Sequence, residues 1–307
     1  MSFFLDSPGC LFVPPANPIF LLDDHAAQRL ASGCSGRAGK KYKETIMAAL
    51  FENRVKKLLK AGKKTSGAWS QLCSPASTEI LCRAGFDWLL IDLEHSPNDL
   101  QTLFGQLQAM GGYGVVPIVR SPWNDQVWIK RILDAGAYGV MIPAVNTKEQ
   151  AVAAVAACKY PPQGIRGIAG SPRAAGFGRD TSSYLKRAND ELLVILQVET
   201  PQAIDNLDEI GKVPGVDALF IGPMDLSTSM GHLGSPAHPE VQAAMARVEA
   251  KVKTLGLPLG TISAGWDQAK ALYDRGYQMI TLMSDVILVS RASAELATKF
   301  RESYPEG

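Results

Sequence analysis

Apolar residues recur along this chain in two registers. One is helical: the run ETIMAALFENRVKKLLKAGKK, from Glu44, repeats its apolar positions every three or four residues and gathers lysines toward its end, where they complement a helix dipole. The other is a short, nearly unbroken apolar run, the pattern of a parallel strand buried on both faces. Runs of this second kind predict strands at 67–73, 87–93, 115–120, 138–143, 193–198, 217–222, 257–262 and 278–282. Four follow directly on a helical pattern that ends in glycine, in RAGFDWLLID, DAGAYGVMIP, VPGVDALFIG and DRGYQMITLM. Glycine at that place predicts a helix C-cap with positive φ. Buried strands alternating with helical patterns, eight times over, predict an α/β fold: a closed TIM (β/α)8 barrel. The 307 residues accommodate one such barrel, of about 250 residues, with an extension.

The N-terminal stretch obeys neither register. Pro14, Pro15, Pro18, Gly33, Gly36 and Gly39 interrupt each apolar patch, so 1–43 reads as an irregular extension and 44–307 as the catalytic barrel. The extension lacks a basic leading segment and carries Asp6 early, which argues against a secretory signal. The lysines of the helix from Glu44 read as a solvated basic face. Between the fourth and fifth strands, YPPQGIRGIAGSPRAAGFGRDTSSYLKRAND reads as one long connection, and connections of that length are usually functional.

Composition then narrows the partners. A formal net charge of +1 provides no field to gather nucleic acid or an anionic membrane. No apolar run reaches the roughly 18 to 20 residues that cross a bilayer. The five cysteines, odd in number and without C-x-x-C spacing, read as reduced thiols. A cytoplasmic enzyme acting on a small molecule is the expectation, with neither nucleic acid nor membrane as partner.

Barrel enzymes keep their reactive groups at the C-terminal ends of the strands. Here the second strand runs into Asp92, Glu94 and His95, the third ends at Arg120, the fifth delivers Gln197 and Glu199, and the sixth leads to Asp225. Glu199 and Asp225, on neighbouring strands, suit one hard divalent cation that a 2-oxo acid could chelate; each could equally cap the helix after its strand. Arg120 offers a fixed cationic fork for substrate oxygens, or a salt bridge with Asp92 or Glu94. His95 titrates in the range needed to move a proton, though a structural imidazole is the alternative. Trp69, on the first strand, is a further expected substrate contact. His232 and His238 read as loop residues beside Gly and Pro. None of the eight strands contains a lysine, which argues against imine catalysis.

The segments GFDWLLIDLEHSPND, VPIVR, IKRILDAGAYGVMIPAV, YPPQGIRG with RAAGFG, LLVILQVETPQAI and VDALFIGPMDLSTSMG carry a resemblance across roughly residues 65–300. Together they resemble the HpcH/HpaI aldolase/citrate lyase family, metal-dependent class II pyruvate aldolases on barrels of the phosphoenolpyruvate/pyruvate type. The resemblance implies aldol cleavage and condensation of 4-hydroxy-2-oxo acids, giving pyruvate and an aldehyde through a metal-stabilised enolate. It implies His95 as general acid/base, Asp134 as its pairing residue across a subunit boundary, and Arg120 as the enolate-stabilising arginine. It implies Glu199 and Asp225 as ligands of Mg²⁺ or Mn²⁺, with Co²⁺ a further candidate. Gln197 becomes a neighbouring polar contact, the backbone around Gly222 and Met224 the receiver of the pyruvate carboxylate, and Asp92 a supporting carboxylate. It also implies a homo-oligomer, trimer or hexamer, in which residues 291–297 dock on a neighbour. Oxaloacetate decarboxylation or enolate addition of the macrophomate synthase kind would use the same core, and a non-catalytic barrel is the rival from another class.

Overall fold

The computed structural model describes residues 52–305. The chain runs α1 (Arg54–Lys60), β1 (Thr65–Ser70), α2 (Pro75–Arg83), β2 (Trp88–Asp92), α3 (Leu100–Ala109), β3 (Val116–Arg120), α4 (Gln126–Ala135), β4 (Gly139–Ile142) and α5 (Lys148–Cys158). It continues through α6 (Thr181–Glu191), β5 (Leu193–Val198), α7 (Pro201–Asp205), α8 (Leu207–Gly211), β6 (Ala218–Ile221) and α9 (Pro223–Ser229). The last elements are α10 (Pro239–Leu255), β7 (Leu259–Ile262), α11 (Trp266–Asp274), β8 (Met279–Ser284) and α12 (Asp285–Ser303). The strands close into a barrel in sequence order, all pairs parallel, and each lies on the run predicted for it. Gly85, Gly136, Gly215 and Gly276, the four glycines expected to end helices, have φ of 88°, 107°, 99° and 107°. At Gly85, Gly136 and Gly276 this left-handed turn lets a helix stop and a strand begin within a few residues, whereas Gly215 makes it in the turn from Val213 to Val216, after α8 has ended at Gly211.

Alternation along the strands explains why the runs are apolar throughout. Trp88, Leu90, Ile118, Met141, Ile195, Phe220 and Met279 form one cluster inside the barrel, with Val55 and Leu59 of α1 packed against its floor. The intervening Leu89, Ile91, Val119, Val140, Ile142, Leu196 and Ile221 belong to a second cluster shared with the surrounding helices. Both faces of every strand are therefore covered. The two largest interior side chains are accommodated by glycine on the adjoining strand. Gly67 is in register with Trp88, and a Cβ there would sit 2.3 Å from the indole; Gly260 is in register with Phe220, and a Cβ there would sit 2.5 Å from the ring.

Four expectations are corrected or bounded. The predicted division at residue 43 lies outside the described residues, as do Cys10 and Cys34; Cys73, Cys82 and Cys158 are free thiols. Of the helix expected from Glu44, residues 44–51 lie outside the described residues; α1 starts at Arg54 with Asn53 as its N-cap, accepting from the Lys56 N–H at 3.0 Å while its amide donates to the Tyr138 carbonyl. Lys56 is not solvated: its ammonium is buried against the Leu192 carbonyl at 2.7 Å and Asp217 at 2.9 Å, on the fifth-strand side of the floor. The long connection contains α6, whose narrow stripe buries Tyr184 and Ala188, and its arginines work in packing. Arg173 donates to the Ala135 and Leu107 carbonyls near the ends of α4 and α3, and Arg166 pairs with Asp134.

Candidate functional site at the barrel mouth

Where β2 ends, Asp92 organises the surrounding loops. Its carboxylate accepts a two-pronged bond from Arg120, Nε at 2.9 Å and Nη2 at 2.7 Å, and further bonds from the Trp69 indole at 3.1 Å and Gln71 Nε2 at 3.0 Å. The main-chain N–H groups of Glu94 and His95 donate to it as well. Its carbonyl accepts from Ser96 and from Asn98, which Gln106, buried in α3, holds from behind. These bonds bend the chain after β2 so that Glu94 faces inward and His95 reaches the rim, its side chain 60% exposed. Burial pushes the Asp92 carboxyl up, but the bonds and charge of Arg120 outweigh it and hold the group below its ordinary value. Asp92 is thus a permanent anion that fixes a permanent cation.

Arg120 is 4% exposed and stacks over Trp69 at 4.6 Å. The sequence left open whether it meets substrate or carboxylates, and it meets both Asp92 and Glu94, whose Oε2 lies 2.9 Å from Nη1. Two of its five N–H groups serve Asp92, Nη1 faces Glu94, and Arg120 is a lining residue of the cavity. Glu94 is one of the two salt-bridge partners the sequence offered Arg120; burial raises its carboxyl above the ordinary value against the pull of Arg120 and His95.

Across the mouth stands Glu199, at the end of β5 and 8% exposed. Gln197 donates to its Oε1 at 2.5 Å, and the Ala144 N–H donates to its Oε2 at 3.3 Å. Ala144 makes that bond with φ of 55°, a left-handed conformation that costs a non-glycine residue about 1 kcal/mol. Gly222, after β6, faces the same carboxylate so closely that a Cβ there would lie 2.6 Å from Oε1. Burial pushes the Glu199 carboxyl up to about 7; the Ala144 N–H opposes this, and the charges of Asp225 and Glu94 add to it.

The donor set fits a divalent cation. The charges of Asp225 and Glu94 both push the Glu199 carboxyl up, and that of Asp225 also acts on Glu94, while the cation beside them, Arg120, is already committed to Asp92. The buried Gln197 Oε1 has no partner among the described residues, and Gly222 leaves open the space in front of Glu199. Carboxylate and amide oxygens of this kind suit Mg²⁺ or Mn²⁺. Asp225 lies in the first turn of α9, where the cap residue Gly222 has no side chain to offer.

A cavity of about 220 Å³ opens among these groups, floored by Trp69 and Phe220 in edge-to-face contact. That is below the roughly 300–1,000 Å³ of sites for larger organic ligands, so a short-chain acid matches it. His95, Arg120, Gln197, Gly222, Met224, Asp225 and Trp69 line it. Asp92 stands behind it, fully buried, and Asp134 is held elsewhere by Arg166 at 2.6 Å. No residue of the long connection between α5 and β5 lines it among the described residues. Gln71 and Ser284 do, and both escaped sequence reading. Ser284 donates to the Gln71 amide oxygen at 3.0 Å, and Asp285 accepts the Gln71 N–H at 2.9 Å, so the start of α12 sets the rim after β1.

Comparison with known proteins adds four findings. The family described as HpcH/HpaI aldolase/citrate lyase matches residues 65–292. The chain is 42% identical over 253 residues to 5-keto-4-deoxy-D-glucarate aldolase of Citrobacter koseri, covering 82% of this chain and 98% of that protein. It is 43% identical over 250 residues to 4-hydroxy-2-oxo-heptane-1,7-dioate aldolase of Shigella sonnei, covering 81% and 95%. Among solved structures, an HpcH/HpaI aldolase/citrate lyase family protein from Burkholderia cenocepacia J2315 superposes with a TM-score of 0.78 at 39% identity, covering 81% of this chain and 99% of that one.

Proposed function

The chain belongs to the HpcH/HpaI aldolase/citrate lyase family, and from that premise we infer that the barrel mouth is where it carries out its chemistry. The protein is a carbon–carbon lyase of the aldolase type, acting on 4-hydroxy-2-oxo acids to give pyruvate and an aldehyde. The observation that carries the site assignment is Glu199. A buried carboxylate pushed up to about 7, facing a glycine and flanked by two more carboxylates, has the surroundings of a group awaiting a cation.

Glu199 and Asp225 would hold the divalent ion, Mg²⁺ or Mn²⁺, with Gln197 alongside. When bound, such an ion supplies Lewis-acid polarisation of the 2-oxo group and stabilises negative charge that develops there. The chain's own residues do the rest. First-turn N–H groups of α9, from Met224 and Asp225, lack intrahelical acceptors and would take the substrate carboxylate. Arg120, rigid between Asp92 and Trp69 and beside Glu94, would present its cationic fork to the substrate oxygens. A base at the rim, His95, takes the proton of the 4-hydroxyl. The C3–C4 bond then breaks, its electron pair moves toward the C2 oxygen, and a proton returned to C3 completes pyruvate. Tight fixation of Arg120 matters because donors that need not reorganise stabilise developing charge best.

The exposed face of α12 supports a homo-oligomer, trimer or hexamer. Only Asp285 of its residues is buried, while Ile287, Leu288, Val289, Leu296 and Phe300 are more than half exposed. Apolar surface of that extent on one helix marks a contact with another chain. Asp134, on α4 outside the cavity, would reach a catalytic centre only through such a contact. No helix among the described residues is long and apolar enough to cross a membrane.

The test is solvent exchange. Pyruvate in D₂O with Mg²⁺ or Mn²⁺ should lose its methyl proton signal in the presence of the protein. Glu199→Ala should abolish the exchange. Exchange that persists in that variant would sink the assignment, and turnover of oxaloacetate without cleavage of hydroxy-oxo acids would make decarboxylation the main reaction.

A further inference from the structure

Away from the mouth, the loop between α9 and α10 gathers metal-ligating side chains that the aldolase reading does not use. His232, His238 and Glu240 each present a ligand atom, and these atoms all lie within 4.8 Å of one another. His232 Nε2 is 2.8 Å from Glu240 Oε2, and the two imidazole rings stack at 3.6 Å with planes 17° apart. The main chain builds this arrangement: the His232 N–H binds the Ser227 carbonyl at 2.8 Å, Ser235 N–H binds the His232 carbonyl, and His238 N–H binds the Ser235 carbonyl. Two successive turns therefore deliver the second imidazole over the first, and α10 then places Glu240 two residues on. The ordering entropy of the ligands is largely met by the fold.

We propose that His232, His238 and Glu240 form a second metal site, for one borderline divalent transition ion of the Zn²⁺ or Ni²⁺ class, distinct in chemistry from the oxygen-lined mouth. Two imidazoles and one carboxylate are a donor set for such ions, whereas Mg²⁺ prefers oxygen alone. Ligands about 2.0–2.2 Å from a tetrahedral centre stand roughly 3.3–3.5 Å apart; here all three ligand atoms lie within 4.8 Å of one another, with His232 and Glu240 at 2.8 Å. The ion would take the place of the hydrogen bond between His232 and Glu240. His232 is 22% and Glu240 70% exposed, so an ion enters directly from solvent and water can complete the shell. Bound there, it ties the loop that leaves α9, the helix carrying Asp225, to the start of α10.

The experiment uses the full chain, stripped with chelator and titrated with Zn²⁺ in excess Mg²⁺, with bound zinc counted per chain and thermal stability read in parallel. The comparison is with His232→Ala and with His238→Asn, which keeps a side chain able to cap α10. The wild type is expected to hold about one zinc equivalent more than either variant, or to bind it at least roughly tenfold more tightly, the smallest cost of losing a partner at a metal site. With Cu²⁺, nitrogen splitting in the resonance spectrum should weaken in both variants. Equal zinc stoichiometry and affinity in wild type and variants, or an identical Cu²⁺ spectrum, overturns the proposal.

Discussion

Gly222→Ala isolates the geometry of the Glu199 carboxylate from its chemistry. The backbone at Gly222 has φ of −92° and ψ of 93°, which alanine adopts without strain, so the added methyl acts only through contact. Its nearest neighbours would be Glu199 Oε1 at 2.6 Å, Cγ at 2.9 Å and Cδ at 3.2 Å. To restore ordinary contact the carboxylate must retreat by roughly 0.8 Å, and it is tethered by Gln197 at 2.5 Å and the Ala144 N–H at 3.3 Å, so it gives up one bond or both. A misplacement near 1 Å at a reacting centre costs about a hundredfold in rate, equivalent to roughly 2.7 kcal/mol. The expected outcome is a fall of about that size in kcat/KM for aldol cleavage and weaker binding of the activating cation. Stability should change little, since replacing glycine at a compatible φ recovers about 0.4–1 kcal/mol from the unfolded chain. Adding Glu199→Asp, which draws the carboxylate back by one methylene, should cost less in the alanine background than in the wild type, a coupling that a double-mutant cycle measures. Kinetics within twofold of wild type, or strictly additive losses, would refute the reasoning.

Other expectations follow from the same groups. Glu199, raised to about 7 mainly by burial, binds a proton in the folded chain that the unfolded chain releases near 4.5; the metal-free protein should therefore lose up to roughly 3 kcal/mol as pH rises from 4.5 through 7. Melting temperatures taken in chelator between pH 5 and 8 should fall with pH in wild type and flatten in Glu199→Gln, and an unchanged slope in the variant would count against the shift. Asp92→Asn leaves the buried Arg120 short of its main counter-ion and should cost about 3–5 kcal/mol in denaturant unfolding. Phe300→Asp on α12 should lower the mass measured by light scattering; an unaltered mass would place the subunit contact elsewhere.

The barrel was legible because parallel strands covered on both faces read as unbroken apolar runs, and because glycine is nearly required where a helix must turn directly into a strand. The mouth was legible for a related reason: polar residues such as Glu199 and Arg120 stand out at the ends of such runs. What the sequence hid were partnerships over long separations. Lys56 looks like one of several solvated lysines until Asp217 and the Leu192 carbonyl meet it at the barrel floor. Gln71 falls in the strand predicted over 67–73, yet it lies just past β1, where Ser284 and Asp285 hold it against Asp92 from more than two hundred positions away. Helix α6 was missed because glycine, proline and arginine before it dominate the segment, and its buried stripe is only Tyr184 and Ala188 wide.

The pairing of Gly67 with Trp88 and of Gly260 with Phe220 makes interior volume a shared quantity between neighbouring strands. Neither member of a pair can be altered freely: enlarging the glycine drives into the ring, and shrinking the aromatic opens a void that costs about 3–5 kcal/mol. Changed together, with bulk passed from one strand to the next, they can conserve the filling of the core. In any collection of sequences selected to keep this barrel, positions 67 and 88 should trade size, as should 260 and 220. A designer who wished to bore a channel from the floor to the mouth would have to begin with those four positions at once.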